Sequence, residues 1–103
     1  MIPPGSTLGL LGGGQLGRMF AQQALGMGYR VVVLEPDPAA PAAVLASEHL
    51  RAGYDDIPAL ELLAGRVSAV TTEFENVPAA TLDWLGSHLI CRPSSQAVAI
   101  AQD

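Results

Sequence analysis

Three glycines near the amino terminus constrain the fold of this chain more than any other feature of its sequence. Gly12, Gly14 and Gly17 have the spacing G-x-G-x-x-G and follow the apolar run TLGLL. Glycines so spaced allow a tight turn from a buried strand into a helix and let a ligand approach the backbone closely. The free N–H groups at the start of that helix would attract an anion, aided by the helix dipole. The turn therefore predicts a phosphate-bearing ligand, and the alternative is that the glycines serve only the packing of strand and helix.

Apolar runs alternate with amphipathic ones along the rest of the chain. Strands are predicted at residues 7–11, 29–35, 49–53, 68–74 and 88–92, and helices at about 15–26, 41–47, 57–64, 78–85 and from 94 onward. This alternation indicates a parallel sheet with right-handed crossovers. Runs such as VVVL are apolar on both faces, as a sheet covered on both sides requires. We predict an α/β fold, a doubly wound parallel sheet of about five strands in the order 3-2-1-4-5.

One face of the first predicted helix is mostly apolar, and we expect that face to lie on the sheet. It consists of Leu16, Met19, Phe20, Gln23 and Ala24.

Length and charge exclude several classes of function. The 103 residues, half of them hydrophobic, suffice for one core. The net charge is −5 and the five basic residues are scattered arginines, whereas a nucleic-acid surface needs a basic stripe. No apolar run approaches the roughly 20 residues of a membrane span, and the amino terminus does not resemble a signal peptide. We therefore expect a cytoplasmic protein that binds neither nucleic acid nor membranes.

The cysteine and the histidines carry no predicted chemistry. The single Cys91 cannot form an internal disulfide, fits a reducing compartment and is expected to pack in the core. His49 and His88 stand apart in the sequence, without the spacing of a zinc site. We predict no metal site in this chain.

A second polar feature is the segment TTEFENV, which ends the fourth predicted strand. Glu73 and Glu75 are two residues apart, so they share a side if the strand extends that far. In the predicted strand order, the fourth strand borders the first, and ligands bind between such strands at their carboxyl ends. Glu73 would then face Gly14, Gln15 and Leu16 across one crevice. The alternative is that both carboxylates are solvated loop residues.

These features leave two ligand classes open. Glu35 ends the second predicted strand about 20 residues after the glycines, where an acidic residue could bind a ribose hydroxyl of NAD, as in an oxidoreductase. However, two carboxylates beside the turn would repel a pyrophosphate. They would suit a ligand that offers ribose hydroxyls or an amino group and carries a single phosphate elsewhere.

Four segments in order carry a resemblance to a known family. They are GGGQLGRM, LEPDPAAPAA, EFENVP and RPSSQAVAIAQD, at residues 12–19, 34–43, 73–78 and 92–103. Together they resemble the N-terminal, Rossmann-like pre-ATP-grasp domain of the 5-(carboxyamino)imidazole ribonucleotide synthetases, which belong to the ATP-grasp superfamily. These enzymes are also known as the ATPase subunit of phosphoribosylaminoimidazole carboxylase. The resemblance spans nearly the whole chain.

The resemblance implies a ligase of de novo purine biosynthesis. Such an enzyme uses ATP and bicarbonate to carboxylate the exocyclic amine of 5-aminoimidazole ribonucleotide through carboxyphosphate. By the same resemblance, Gly14, Gln15 and Leu16 bind the ribonucleotide and Glu73 accepts hydrogen bonds from it. Glu75 would support that contact from behind or cap the following turn.

The resemblance also implies that residues 1–103 form only the N-terminal, substrate-side domain, since such enzymes have roughly three domains. The ATP-grasp and C-terminal domains, with the ATP and Mg²⁺ sites, are then expected outside this chain. The ending SSQAVAIAQD reads as a helix that is still running, and the chain contains no lysine to hold an ATP phosphate. We predict that this fragment holds no catalytic residue and is inactive alone, and the resemblance implies a homodimer. A stand-alone nucleotide-sensing module is the remaining, non-enzymatic alternative.

Overall fold

The secondary structure alternates between strands and helices. The computed structural model describes residues 2–72 and 77–93, the last four as backbone alone. The strands are β1 Thr7–Leu11, β2 Arg30–Leu34, β3 Glu48–Leu50, β4 Ala69–Thr72 and β5 Ile90–Pro93. The helices are α1 Gln15–Gly26, α2 Ile57–Ala64 and α3 Ala79–His88, with a 3₁₀ helix at Pro41–Val44.

All strand pairs are parallel, and β1 lies in the middle of the sheet. It pairs with β2 on one side and β4 on the other, β3 extends the sheet beyond β2, and the backbone of β5 pairs with β4. The predicted α/β fold and the order 3-2-1-4 are confirmed. Because Leu11 pairs with both Leu34 and Thr72, β1, β2 and β4 end at the same edge of the sheet.

Alternate side chains of the strands build two apolar layers, one on each face of the sheet. Leu10, Val31 and Val33 pack with Phe20 and Ala24 of α1. On the other face, the layer joins the strands to α2 and α3 through Leu11, Val32, Leu34, Leu60, Leu63, Val70 and Leu85.

The face of α1 that contacts the sheet overlaps the predicted one only in part, at Phe20 and Ala24. Leu16 and Met19 are 62% and 58% exposed, and the buried residues are Gly17, Phe20, Ala21 and Ala24. A Cβ on Gly17 would lie 2.7 Å from the Gly12 carbonyl oxygen and 3.1 Å from Leu10 Cδ2. The helix therefore contacts the sheet through Phe20 and three small residues, whereas the prediction weighed hydrophobicity and not size.

The connection between β2 and β3 also differs from the prediction. The predicted helix at 41–47 is the single 3₁₀ helix Pro41–Val44. Its extension is prevented because the N–H and the hydroxyl of Ser47 both donate to the carbonyl of Val31, at 2.9 Å each. That pairing brings the chain back to the sheet and starts β3.

The remaining aromatic and histidine residues have structural surroundings. Trp84 is half-buried and stacks on His88 with ring centroids 3.9 Å apart. The His88 Nδ1 also lies 2.7 Å from the Trp84 carbonyl oxygen. The side chain of Cys91 lies outside the described residues. In the described part of the chain, no helix has the length and apolar character needed to cross a membrane.

Candidate ligand-binding site at the glycine-rich turn

The turn between β1 and α1 depends on glycine at more positions than the motif contains. Gly12 has a φ of +100°, a conformation that side-chain-bearing residues rarely adopt. At Gly13, a Cβ would lie 2.6 Å from the Cβ of Ala40 and 2.9 Å from the Cγ of Glu35. Gly13 lies between the motif glycines, and the motif assigns it no role. The signal that could have revealed it is the unbroken run of three glycines.

The start of α1 offers unpaired hydrogen-bond donors. Gly14 is the N-cap residue, has an extended conformation, and supplies its carbonyl to the N–H of Arg18 at 2.9 Å. Within residues 2–72 and 77–93, no side chain caps the helix and the N–H groups of Gly14, Gln15 and Leu16 have no acceptor. Unpaired N–H groups at the positive end of a helix dipole attract anions. The structure thus brings three of the predicted site residues together at the carboxyl edge of the sheet.

The predicted acidic partners of this turn, Glu73 and Glu75, lie outside the described residues. The strand that precedes them ends at Thr72, which pairs with Leu11, and Leu11 comes directly before Gly12. The chain therefore leaves β4 beside the glycine-rich turn. The contact between Glu73 and the turn stays a prediction.

Two buried hydroxyl groups lie at the same end of β4. Thr71 and Thr72 are 1% and 2% exposed, and neither Oγ1 has a hydrogen-bond partner in the described part of the chain. Alternation along the strand places Thr71 on the face of Leu10 and Thr72 on the face of Leu11. A buried hydroxyl without a partner destabilises a fold, so packing alone does not explain why threonine occupies these two positions.

The carboxylate of Glu35 is engaged by the protein itself. Its Oε1 accepts hydrogen bonds from the Gly13 N–H at 2.9 Å and the Tyr54 hydroxyl at 2.6 Å. Its Oε2 accepts from the Asp37 N–H at 2.9 Å. The residue that the NAD interpretation assigns to a ribose hydroxyl is thus a structural acceptor for three donors.

The same contacts determine the charge of Glu35. Partial burial raises the pKa of the Glu35 carboxyl, but the hydrogen bonds from Tyr54, Asp37 and Gly13 lower it, and so does the nearby His49. The lowering effects prevail, and the pKa lies below its ordinary value. Glu35 is therefore ionised at neutral pH.

The segment after β2 covers the glycine-rich turn from the side. The N–H of Ala42 donates to the carbonyl of Gly13 at 2.9 Å, and both Ala40 and Ala42 are buried. In a dinucleotide-binding fold, the nucleotide ribose reaches the acidic residue at the end of the second strand. Here Ala40 and the contacts of Glu35 occupy that region, which disfavours the NAD interpretation.

Other parts of the surface are less suited to ligand chemistry. Among the described residues, no group of three or more His, Cys, Asp or Glu side chains could hold a metal ion. An open depression of about 260 Å³ lies at the opposite edge of the sheet, where the strands begin, and is lined in part by Arg30, Glu48 and Arg66. Arg66 forms an exposed ion pair with Glu48 there.

The fold and the turn define an α/β domain with an anion-attracting helix start at the carboxyl edge of its parallel sheet. Comparison with known families assigns the class, because the ribonucleotide synthetase preATP-grasp domain family matches residues 5–102. The chain belongs to that family.

The most similar proteins share one description. N5-carboxyaminoimidazole ribonucleotide synthase of Brucella melitensis biotype 1 is 45% identical over 102 residues, which are 99% of this chain and 28% of that protein. The crystal structure of N5-carboxyaminoimidazole synthetase from Staphylococcus aureus complexed with ADP has a TM-score of 0.84 at 42% identity, over 94% of this chain and 26% of that one.

A third relative was solved with two ligands. It is N5-carboxyaminoimidazole synthase from Aspergillus clavatus in complex with ADP and 5-aminoimidazole ribonucleotide, with a TM-score of 0.72 at 33% identity. The match covers 92% of this chain and 26% of that one. The chain thus spans about a quarter of the length of the relatives it matches.

Proposed function

We propose that this chain is the N-terminal, substrate-side domain of an ATP-dependent ligase of de novo purine biosynthesis. The complete enzyme would carboxylate the exocyclic amine of 5-aminoimidazole ribonucleotide with bicarbonate, through carboxyphosphate. Membership in the preATP-grasp family and the ligands of the Aspergillus clavatus relative support this assignment.

One observation carries the role of this domain, the uncapped start of α1 beside the end of β4. The N–H groups of Gly14, Gln15 and Leu16 have no acceptor among the described residues and would donate to oxygen atoms of the ribonucleotide. Glu73 comes directly after Thr72, the last residue of β4, in the sequence and would accept hydrogen bonds from the substrate, with Glu75 behind it or capping the next turn. The domain would form one wall of a closed site in which amine and carboxyphosphate are held together.

The remaining parts of the reaction belong to other domains. This chain has no lysine and, among its described residues, no cluster that fits Mg²⁺. We therefore place the ATP and Mg²⁺ sites outside it, and the fragment alone is expected to be inactive. The complete enzyme would be a cytoplasmic homodimer.

The role of the turn can be tested with one pair of glycine variants on α1. In the complete ligase, Gly14→Val places a branched side chain at the helix start and should weaken binding of 5-aminoimidazole ribonucleotide in calorimetry at least about tenfold. The control is Gly26→Val, at the other end of the same helix, where a Cβ meets nothing within 4 Å. Unchanged affinity in Gly14→Val would show that the turn is only a scaffold.

A further inference from the structure

A chain of hydrogen bonds connects the glycine-rich turn to two other segments at the carboxyl edge of the sheet. Gly13 donates to Glu35 at the end of β2, and Tyr54, in the loop between β3 and α2, donates to the same Oε1. The carbonyl of Tyr54 accepts from the Thr81 hydroxyl at 2.7 Å, in the first turn of α3. The network therefore extends from the turn to the helix that follows residues 73–76.

We propose that Glu35 is a positioning residue for the ribonucleotide site, holding the glycine-rich turn so that the N–H groups at the start of α1 are directed toward the ligand. This inference rests on the proposed function. It assigns Glu35 a role through Gly13 and no contact with the substrate.

The contacts of Gly13 explain how this positioning works. Its N–H donates to Glu35 and its carbonyl accepts from Ala42, so both of its backbone polar groups are used. Gly12 is also held to β2, because its N–H donates to the Leu34 carbonyl at 3.1 Å. Gly12 and Gly13, the two residues before the N-cap, are thereby fixed to the end of β2 and to the segment after it. Within the described part of the chain, the unpaired N–H groups begin at Gly14.

The charge of Glu35 allows a positioning role to be distinguished from a purely electrostatic effect on ligand binding. A carboxylate beside an anion-attracting turn opposes anion binding by Coulomb repulsion. The three donors on Glu35 offset its charge locally, and Tyr54 contributes the shortest of these hydrogen bonds. A neutral residue would remove the repulsion. The positioning hypothesis predicts that such a residue nevertheless weakens ligand binding, because the turn loses its anchor.

Because repulsion and anchoring have opposite effects on ligand binding, a neutral substitution of Glu35 distinguishes them by whether KM for the ribonucleotide falls or rises. In the complete ligase, Glu35→Gln removes the charge and keeps the shape, but its amide cannot accept from Gly13, Tyr54 and Asp37 together. We expect KM for 5-aminoimidazole ribonucleotide to rise about tenfold or more, as for a displaced binding group, while KM for ATP stays within twofold. If the carboxylate acts only by repulsion, the same substitution lowers KM for the ribonucleotide.

Two further variants and one spectroscopic measurement complete the design. Tyr54→Phe keeps the ring and removes one donor, and should raise the same KM by a smaller factor. If Glu35→Gln does not fold, Tyr54→Phe carries the test. The control is Glu48→Gln, which removes an exposed carboxylate at the opposite edge of the sheet and should change neither KM. The Gly13 amide proton should shift upfield in Glu35→Gln, because it loses a charged acceptor.

The outcomes separate this inference from the proposed function. If the wild-type protein binds the ribonucleotide and Glu35→Gln and Tyr54→Phe bind it equally well, the positioning role is wrong and the proposed function stands. If the wild-type protein does not bind the ribonucleotide, both are wrong. A raised KM together with the shifted Gly13 resonance supports the inference.

Discussion

The N–H of Gly13 and the carboxylate of Glu35 are 2.9 Å apart, although 22 positions separate the two residues in the sequence. The contact ties the turn after β1 to the end of β2. It also turns an acidic residue that fits a dinucleotide motif into an internal acceptor. Several expected outcomes depend on this contact and on the strand ends beside it.

The space around Gly13 predicts the effect of a single methyl group. Gly13→Ala would place its Cβ 2.6 Å from the Cβ of Ala40 and 2.9 Å from the Cγ of Glu35. Overpacking of this kind costs about 1–3 kcal/mol in the free energy of unfolding, measurable by urea denaturation. Gly26→Ala, where a Cβ meets nothing within 4 Å, should not destabilise the protein. Equal losses in the two variants would contradict the observed packing.

The lowered pKa of Glu35 predicts how stability depends on pH. A carboxyl group whose pKa is lower in the folded state stabilises the protein above its unfolded pKa, and this contribution is lost as pH falls through the folded value. The free energy of unfolding of the wild-type protein should therefore exceed that of Glu35→Gln by about 1–2 kcal/mol at pH 7. The difference should narrow below about pH 4, near the ordinary pKa of glutamate.

Urea denaturation at pH 7 and pH 3.5 measures this difference. The N–H of Asp37 and the hydroxyl of Tyr54 donate to this carboxylate, and the His49 Nε2 contacts the Glu35 backbone carbonyl at 2.9 Å. The comparison therefore measures the carboxylate together with its interactions with these neighbours. A difference that stays constant over this range would show that Glu35 acts without its charge.

The surroundings of Glu35 predict that the chain does not bind NADH. Ala40 covers the turn, and the Glu35 oxygens accept from three protein donors. Titration with NADH, followed by its fluorescence, should show no enhancement at micromolar concentrations. Saturable enhancement in that range would restore the oxidoreductase interpretation.

The unpaired hydroxyl of Thr71 predicts a stabilising substitution. Thr71→Val keeps the shape and removes a buried polar group without a partner in the described part of the chain, so the free energy of unfolding should rise by about 1 kcal/mol. The matched control is Thr81→Val, which loses the 2.7 Å hydrogen bond to the Tyr54 carbonyl and should destabilise by about 1 kcal/mol. Destabilisation by Thr71→Val would mean that its hydroxyl has a partner.

The sequence alone predicts a role for Glu73 in the complete ligase. Glu73→Gln should leave the protein folded and weaken use of 5-aminoimidazole ribonucleotide by about 1–3 kcal/mol in kcat/KM, as for a lost hydrogen bond to a charged acceptor. Circular dichroism checks the fold, and steady-state kinetics measures the loss. Unchanged kinetics would remove Glu73 from the site.

The sequence determined the architecture of this protein because its signals are local. Apolar runs separated by amphipathic segments were enough for the parallel sheet, its order 3-2-1-4 followed from the usual arrangement of doubly wound sheets, and glycine spacing located the turn into α1. The unpaired N–H groups of Gly14, Gln15 and Leu16 could be predicted for the same reason, since a helix start leaves its N–H groups unpaired wherever the helix packs; the binding role of these residues stays a prediction.

The tertiary structure decided which side chains meet. The buried face of α1 depends on how closely Gly17 approaches Leu10 and the Gly12 carbonyl, a distance that hydrophobic periodicity does not contain. The partners of Glu35 lie up to 22 residues away, and nothing in the local sequence indicates that Tyr54 returns to the same carboxylate. Contacts between distant residues exist only once strand order and crossover connections have placed the segments side by side. For this reason the Glu35 carboxylate, which the sequence alone assigns to a ligand, accepts hydrogen bonds from the protein itself.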